Sequence, residues 1–314
     1  MMNKEKNFVS AVIYVRNAEY TIEPFLKQVL CVLEKNFEYS EIICVNDAST
    51  DGSVNAIREV SRMAENTSIS ILNMSYYHGL ELAMNAGVDL SIGDFVFEFD
   101  TTVLDFAGQE IMRVYRHALE GYDIVSASPD GGQNFSSKLF YDFFERFSEL
   151  SYKMYTENFR ILSRRAINRI SSMNKAVPYR KAVYANCGLK RDHVVYKREM
   201  VTDRRKRRDR QEKNYRRSLA IDTLILFTQV GYHFSVWMTS IMIVITLVMA
   251  GYSVITYLVS TPVEGWTTTI LFLSFAFFGL FGILTIVIKY LQIIVDLVFR
   301  RKRYSFEGIE KLTK

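Results

Sequence analysis

The stretch Glu41-Ile42-Ile43-Cys44-Val45-Asn46-Asp47-Ala48-Ser49-Thr50-Asp51-Gly52-Ser53 decides the fold. From Ile42 to Val45 every residue is apolar, the pattern of a strand buried on both faces. Asn46 to Ser53 is built from turn formers and short polar side chains, and a helix is expected from about Val54. The same order of strand, then polar turn, then helix recurs on both sides. Phe8 to Val15 reads as a strand, with an amphipathic helix from about Thr21 to Asn36. Ile69 to Asn73 is a third strand before a helix from about Gly79 to Leu90, Phe95 to Phe99 a fourth, and Tyr122 to Ser126 a fifth. Apolar strands alternating with helices predict an α/β fold, a mostly parallel sheet covered on both faces. In such sheets ligands bind at the carboxyl ends of the strands. The polar residues gather at those ends: Asn17 and Glu19, Asn46 to Asp51, His78, and Asp100. His78 has no partner visible in the sequence and reads as a satisfied structural histidine.

The 314 residues are 49% hydrophobic and 23% charged, with 4 Pro and 15 Gly, which excludes collagenous, low-complexity and disordered chains. Cys31, Cys44 and Cys187 are odd in number and far apart, so neither a disulfide framework nor a zinc site is legible. The net charge of +5 hides a patch, since Lys190 to Arg217 carry 13 Lys/Arg against 5 Asp/Glu. Its densest part, Arg204-Arg205-Lys206-Arg207-Arg208-Asp209-Arg210, invites a nucleic-acid reading. It sits shortly before a long apolar segment, however, where anionic lipid headgroups attract basic residues. Anionic membrane lipids are the expected partner, and nucleic acid is not.

After Asp222 no charged residue occurs until Glu264, and none then until Lys289. Two transmembrane helices are expected, at about 235–258 and 265–290, each long enough for about 30 Å of hydrocarbon. The short loop between them holds no Lys or Arg, whereas basic residues flank both ends, so the positive-inside rule places both ends in the cytoplasm. Residues 1–220 are then a cytosolic domain, 229–299 a membrane hairpin and 300–314 a basic cytosolic tail. Amphipathic helices at about 138–155 and 212–228 are expected beside the bilayer, although the first also suits a core helix.

These residues resemble glycosyltransferase family 2, in the polyprenyl-phosphate branch that includes dolichol-phosphate-mannose synthases and bactoprenol glucosyltransferases. Val12-Ile13-Tyr14-Val15-Arg16-Asn17 is similar to the family's first strand and turn, with Tyr14 where Pro is usual. Val45 to Ser53 matches the family's Val-Asp-Asp-Gly-Ser-x-Asp-x-Ser/Thr, and is the most specific match. Gly79 to Gly87 with Gly93-Asp94 resembles the helix and Gly-Asp before the fourth strand. Asn158-Phe159-Arg160-Ile161-Leu162-Ser163-Arg164 is close to Asp-Phe-Arg-Leu-Leu-Ser-Arg, and Lys213-Asn214-Tyr215 falls at a premembrane element. The family's Asp-x-Asp metal motif reads Asp100-Thr101-Thr102 here, and its basic residue after the fifth strand is absent.

The resemblance implies a GT-A-like, Rossmann-like sheet, and a bacterial inner-membrane enzyme of several passes with its catalytic domain in the cytoplasm. It implies transfer of a sugar from a nucleotide diphosphate sugar to polyprenyl phosphate, with inversion. Val15, Asn17, Glu19, Asp47, Ser49, Asp51 and Gly79 are the expected nucleotide-sugar site. A Mg²⁺ or Mn²⁺ ion is expected on Asp100, helped by Glu98 or Thr102. Asp100, Arg160 and Arg164 are the expected catalytic residues, the two arginines sharing one face if they lie on a helix and helping to hold the lipid phosphate. Arg198, Lys213 and Tyr215 are expected to hold the lipid phosphate. That nucleophile is largely ionised at neutral pH, so it needs positioning and charge neutralisation rather than a strong base. A second reading is a catalytically impaired pseudo-glycosyltransferase, a binding or scaffold partner in glycan assembly. No motif reports an oligomeric state, and a homo-oligomer stays open.

Overall fold

The computed structural model describes residues 4–130, 157–172, 180–199, 266–299 and 304–313, with a few positions between 237 and 248. They fall in two compact units, one holding the sheet and the other the helix at 266–299.

The sheet unit has the strand–helix alternation. Strand β1 (Val9–Val15) leads to helix α1 (Glu19–Asn36), β2 (Ser40–Asn46) to α2 (Ser53–Ser61), and β3 (Thr67–Met74) to α3 (Leu80–Leu90). Next come β4 (Phe95–Phe99), α4 (Gly108–Leu119) and β5 (Ile124–Pro129), then β6 (Phe159–Ser163), α5 (Arg164–Ser172), α6 (Arg180–Asn186) and β7 (Arg191–Tyr196). The eight-stranded sheet has the order β7-β5-β6-β4-β1-β2-β3-β8, where β8 is Phe306–Lys311. Strands β3, β2, β1 and β4 are mutually parallel, as the sequence implies. Strand β6 enters antiparallel between β4 and β5.

Alternate residues of the strands feed two cores. Val9, Ala11, Ile13 and Val15 of β1, with Phe97 and Phe99 of β4, pack with Phe25, Leu26 and Val29 of α1 and Ile111 and Tyr115 of α4. Val12, Ile43, Val45 and Val96 point to the other side, against Ala83 and Met84 of α3 and Ile167, Val183 and Tyr184 of α5 and α6. Helix α3 lies close to the sheet because Gly87 has no side chain: a Cβ there would stand 2.4 Å from Val12 Cγ1 and 2.6 Å from Val45 Cγ2.

One expectation changes: the segment Asn158 to Arg164 is mostly strand β6, so Arg160 and Arg164 share no helical face. Within the 300–314 segment lies β8, antiparallel to β3, with Ile71 opposite Glu310 and Leu72 opposite Ile309. It is held by Arg58, whose Nε and Nη2 each lie 2.9 Å from Glu310. Tyr304 Oη donates to Asp89, and Ser305 N donates to His78 Nε2 at 3.1 Å.

The second unit contains α7 (Trp266–Phe299), 34 residues long with Lys289 and Asp296 its only charges. Over the described residues alone, no helix is long and apolar enough to cross a membrane; many α7 side chains and most of 235–258 fall outside that description. The helices expected at 138–155 and 212–228 lie outside it as well.

Candidate active site

At the carboxyl ends of β1 and β2 two loops are laced together by short polar side chains. Asn17 N donates to Ser49 Oγ at 3.0 Å and Ala18 N to Ser53 Oγ at 2.7 Å. Glu19 N donates to Asp51 Oδ2 at 3.1 Å, and Asn17 Oδ1 accepts from Thr50 N at 2.8 Å. These turns leave backbone amides without sheet partners, and short hydroxyl and carboxylate side chains satisfy them. Asn17 and Ala48 adopt positive φ of 44° and 53°. Arg16, assigned no role from the sequence, donates to the carbonyls of Asp47 and Ala48, and its guanidinium lies 4.8 Å from the Tyr77 ring centroid.

Asp47 is fully buried. Its Oδ1 accepts from His78 N at 2.8 Å, and its Oδ2 from Gly79 N at 2.9 Å and the Tyr14 hydroxyl at 3.0 Å. The carboxylate therefore fixes the start of α3, where Gly79 has φ 83°. Val15 contributes its carbonyl to Asp47 N. His78 is the satisfied histidine expected: Nδ1 meets the Tyr76 carbonyl at 2.6 Å, and Nε2 accepts from Ser305. The residues expected at the nucleotide site are thus brought together at one rim, with many of their polar groups holding one another.

The end of β4 is different in kind. Asp100 Oδ2 lies 2.6 Å from Arg160 Nη2, and Oδ1 lies 2.6 Å from Arg180 Nη2. Arg160 also meets Glu98 at 2.7 Å and Glu157 at 3.1 Å. Arg180 meets Glu81 through Nε at 3.0 Å, and its Nη1 is 2.7 Å from Glu98 Oε1, an ion pair out of hydrogen-bonding alignment. The Tyr184 hydroxyl donates to Glu98 at 2.7 Å. Register explains the lattice: Glu98 lies opposite Arg160, Arg160 opposite Ser126, and Ser126 opposite His193, a polar row on the face that α6 covers. Burial pushes the Asp100 carboxyl up, but Arg160, Arg180 and Lys181 outweigh it and hold it far below the usual carboxylate range. Burial disfavours the Arg160 charge, and Asp100, Glu98 and Glu157 more than restore it. A small cavity beside this row is lined by Glu157, Arg160, Lys181, Tyr184, Arg191 and Asp192, among others.

The expected roles change accordingly. Arg160 joins Asp100 as expected, but all three guanidinium nitrogens are taken by carboxylates, so it is not a phosphate ligand in this arrangement. Arg164 sits at the far end of β6, with Nε 2.9 Å from the Gly93 carbonyl, and is structural. Four strand residues, about 13 Å, separate the two arginines. Glu98 does share a face with Asp100, yet it is fully buried and committed to two arginines and a tyrosine. Thr102 is turned to Thr21, hydroxyl to hydroxyl at 2.7 Å. These residues do not fit a divalent ion as they stand, and among the described residues no cluster of three His, Cys, Asp or Glu could hold one. Arg198 is exposed and 3.6 Å from buried Asp105. Lys213 and Tyr215 lie outside the described residues. Arg180 and Glu81 were not legible, because their partners are 80 to 99 residues away and no local spacing marks them.

An α/β sheet with polar loops at the carboxyl ends of β1, β2 and β4 places the candidate ligand site at that rim. Residues 10–176 match the family described as Glycosyl transferase family 2, and the chain belongs to that family. A glycosyltransferase of Synechocystis sp. is 30% identical over 197 residues, 61% of each chain. The undecaprenyl-phosphate 4-deoxy-4-formamido-L-arabinose transferase of Aeromonas hydrophila is 30% identical over 125 residues, 40% of this chain and 38% of that one. The matched segments thus span less than two thirds of these relatives. Among solved structures, glucosyl-3-phosphoglycerate synthase of Mycobacterium tuberculosis is similar at a TM-score of 0.49 and 14% identity, over 70% of this chain and 78% of that one.

Proposed function

We propose that the chain transfers a sugar from a nucleotide diphosphate sugar to a polyprenyl phosphate, on the cytoplasmic face of a bacterial inner membrane. The observation that carries this reading is the laced loop pair at the ends of β1 and β2, facing Asp100 across β1, in a chain of family 2. Relatives named as undecaprenyl-phosphate transferases supply the acceptor class. The membrane anchor is supported by Leu273, Phe277, Leu280, Leu284, Val287, Leu291 and Ile294, about half exposed on one stripe of α7, where lipid would cover them.

The acceptor's phosphate oxygen is already anionic, so the protein's task is to bring two anions together and exclude water. Lys181 and Arg191, which line the small cavity together with Glu157 and Asp192, carry charge suited to phosphate, as does Arg16 at the rim. Asp100, ionised and fixed by two arginines, sets the shape of the floor on which the sugar would rest. The test is a screen of nucleotide sugars against polyprenyl phosphate in detergent. A lipid-linked sugar is the expected product, and no transfer from any donor overturns the reading. The second reading, a non-catalytic binding partner, is favoured by one observation: both Asp100 oxygens are already engaged by guanidinium groups. Nucleotide binding without any transfer would select it.

A further inference from the structure

We infer that the Asp100 position takes no divalent cation, and that a nucleotide bound at this rim is bound without one, because Arg160 and Arg180 fill the place a metal would need. A magnesium ion holds its oxygen ligands at about 2.0–2.1 Å and keeps a near-octahedral shell. Each Asp100 oxygen instead has a guanidinium nitrogen at 2.6 Å, one from β6 and one from α6. A dication on either oxygen would face two fixed positive charges at close range.

Neither arginine can step aside cheaply. Arg160 is 0% and Arg180 2% exposed. Each is tied from behind, Arg160 to Glu98 and Glu157, Arg180 to Glu81 and Glu98. Displacing either one strands a buried cation, the costly outcome for any buried ion pair. Among the described residues no second metal ligand is in reach: Glu98 is spent on the same arginines, and the Thr102 hydroxyl on Thr21. The change from carboxylate to hydroxyl at position 102 and the arginine lattice thus point the same way from separate origins, one in the sequence and one in the packing.

The nucleotide arm of the test rests on the proposed transfer reaction, and the metal arm does not. Mn²⁺ is titrated into the full chain in detergent and followed by its free-ion electron paramagnetic resonance signal, for the wild type and Asp100→Asn. UDP and GDP are then titrated calorimetrically in EDTA and in excess MgCl₂. The expected result is a Mn²⁺ signal matching the protein-free blank for both proteins, and nucleotide affinities that agree within about twofold with and without metal. Stoichiometric Mn²⁺ binding lost in Asp100→Asn overturns the inference, as does nucleotide binding weakened about tenfold or more by EDTA. If neither nucleotide binds in any condition, the proposed donor class fails, while the wild-type Mn²⁺ titration still decides the metal question.

Discussion

The rim at β1 and β2 and the floor at β4, β6 and α6 solve the same problem with opposite chemistry. At the rim, backbone amides in tight turns are satisfied by Asn17, Ser49, Asp51 and Ser53, one short side chain per donor. At the floor, four carboxylates meet two arginines in a buried lattice. Caps of this kind contribute roughly 1 kcal/mol each, and losing one strands neutral amides rather than charges. A buried charge lattice has a smaller net worth, but losing one member strands the charges of the others. The rim is therefore expected to lose stability in small steps, and the floor in one large one.

The most severe way to break that contrast is Arg160→Met, which leaves Glu98, Asp100 and Glu157 without their shared cation. A loss of about 3–5 kcal/mol in chemical denaturation is expected, and a loss below about 1 kcal/mol would show that the lattice rearranges. The same lattice fixes an acid limb. Asp100 has its folded pKa depressed, so its contribution is complete above the ordinary carboxylate pKa near 4 and is lost as pH falls below it. Asp100→Asn should flatten that limb and lower stability across pH 6–9, where the slope with pH stays unchanged. Asp47→Ala comes next, since it orphans two buried amides and a tyrosine hydroxyl; a cost of about 1–3 kcal/mol is expected, with faster hydrogen exchange at His78 and Gly79. Ala48→Gly acts in the other direction: relieving a non-glycine residue at φ 53° should raise stability by about 1 kcal/mol. The smallest effect belongs to the half-exposed Arg58–Glu310 pair, where Glu310→Gln should cost no more than about 1 kcal/mol, less in high salt.

The same contrast sets what can be read from the sequence. The parallel strands β1 to β4 and their rim residues are legible because each turn comes directly after an apolar run, and Asn46 to Ser53 carries its polar groups in one contiguous stretch. The floor is legible only as single residues. Asp100, Glu98 and Arg160 stand out, but Arg160 reads as a ligand of phosphate because its three acidic neighbours are invisible without the β4–β6 register. Arg180 and its partner Glu81 lie 99 residues apart, so no local spacing marks either of them. Strand β8 escapes notice because charged residues alternate with Ile309, and an edge strand with one wet face is hard to tell from a polar tail.

Strand β8 has a consequence for how the molecule is made. Without it β3 would present a row of unpaired backbone groups, the kind of edge that invites pairing between chains. More than two hundred residues separate β3 from β8, so at roughly 5–20 residues per second the ribosome leaves that side open for on the order of ten seconds or longer. A nascent chain stalled or cleaved before Phe306 would carry an adhesive flank, and quality control would meet it as an aggregation hazard rather than as a merely shortened protein.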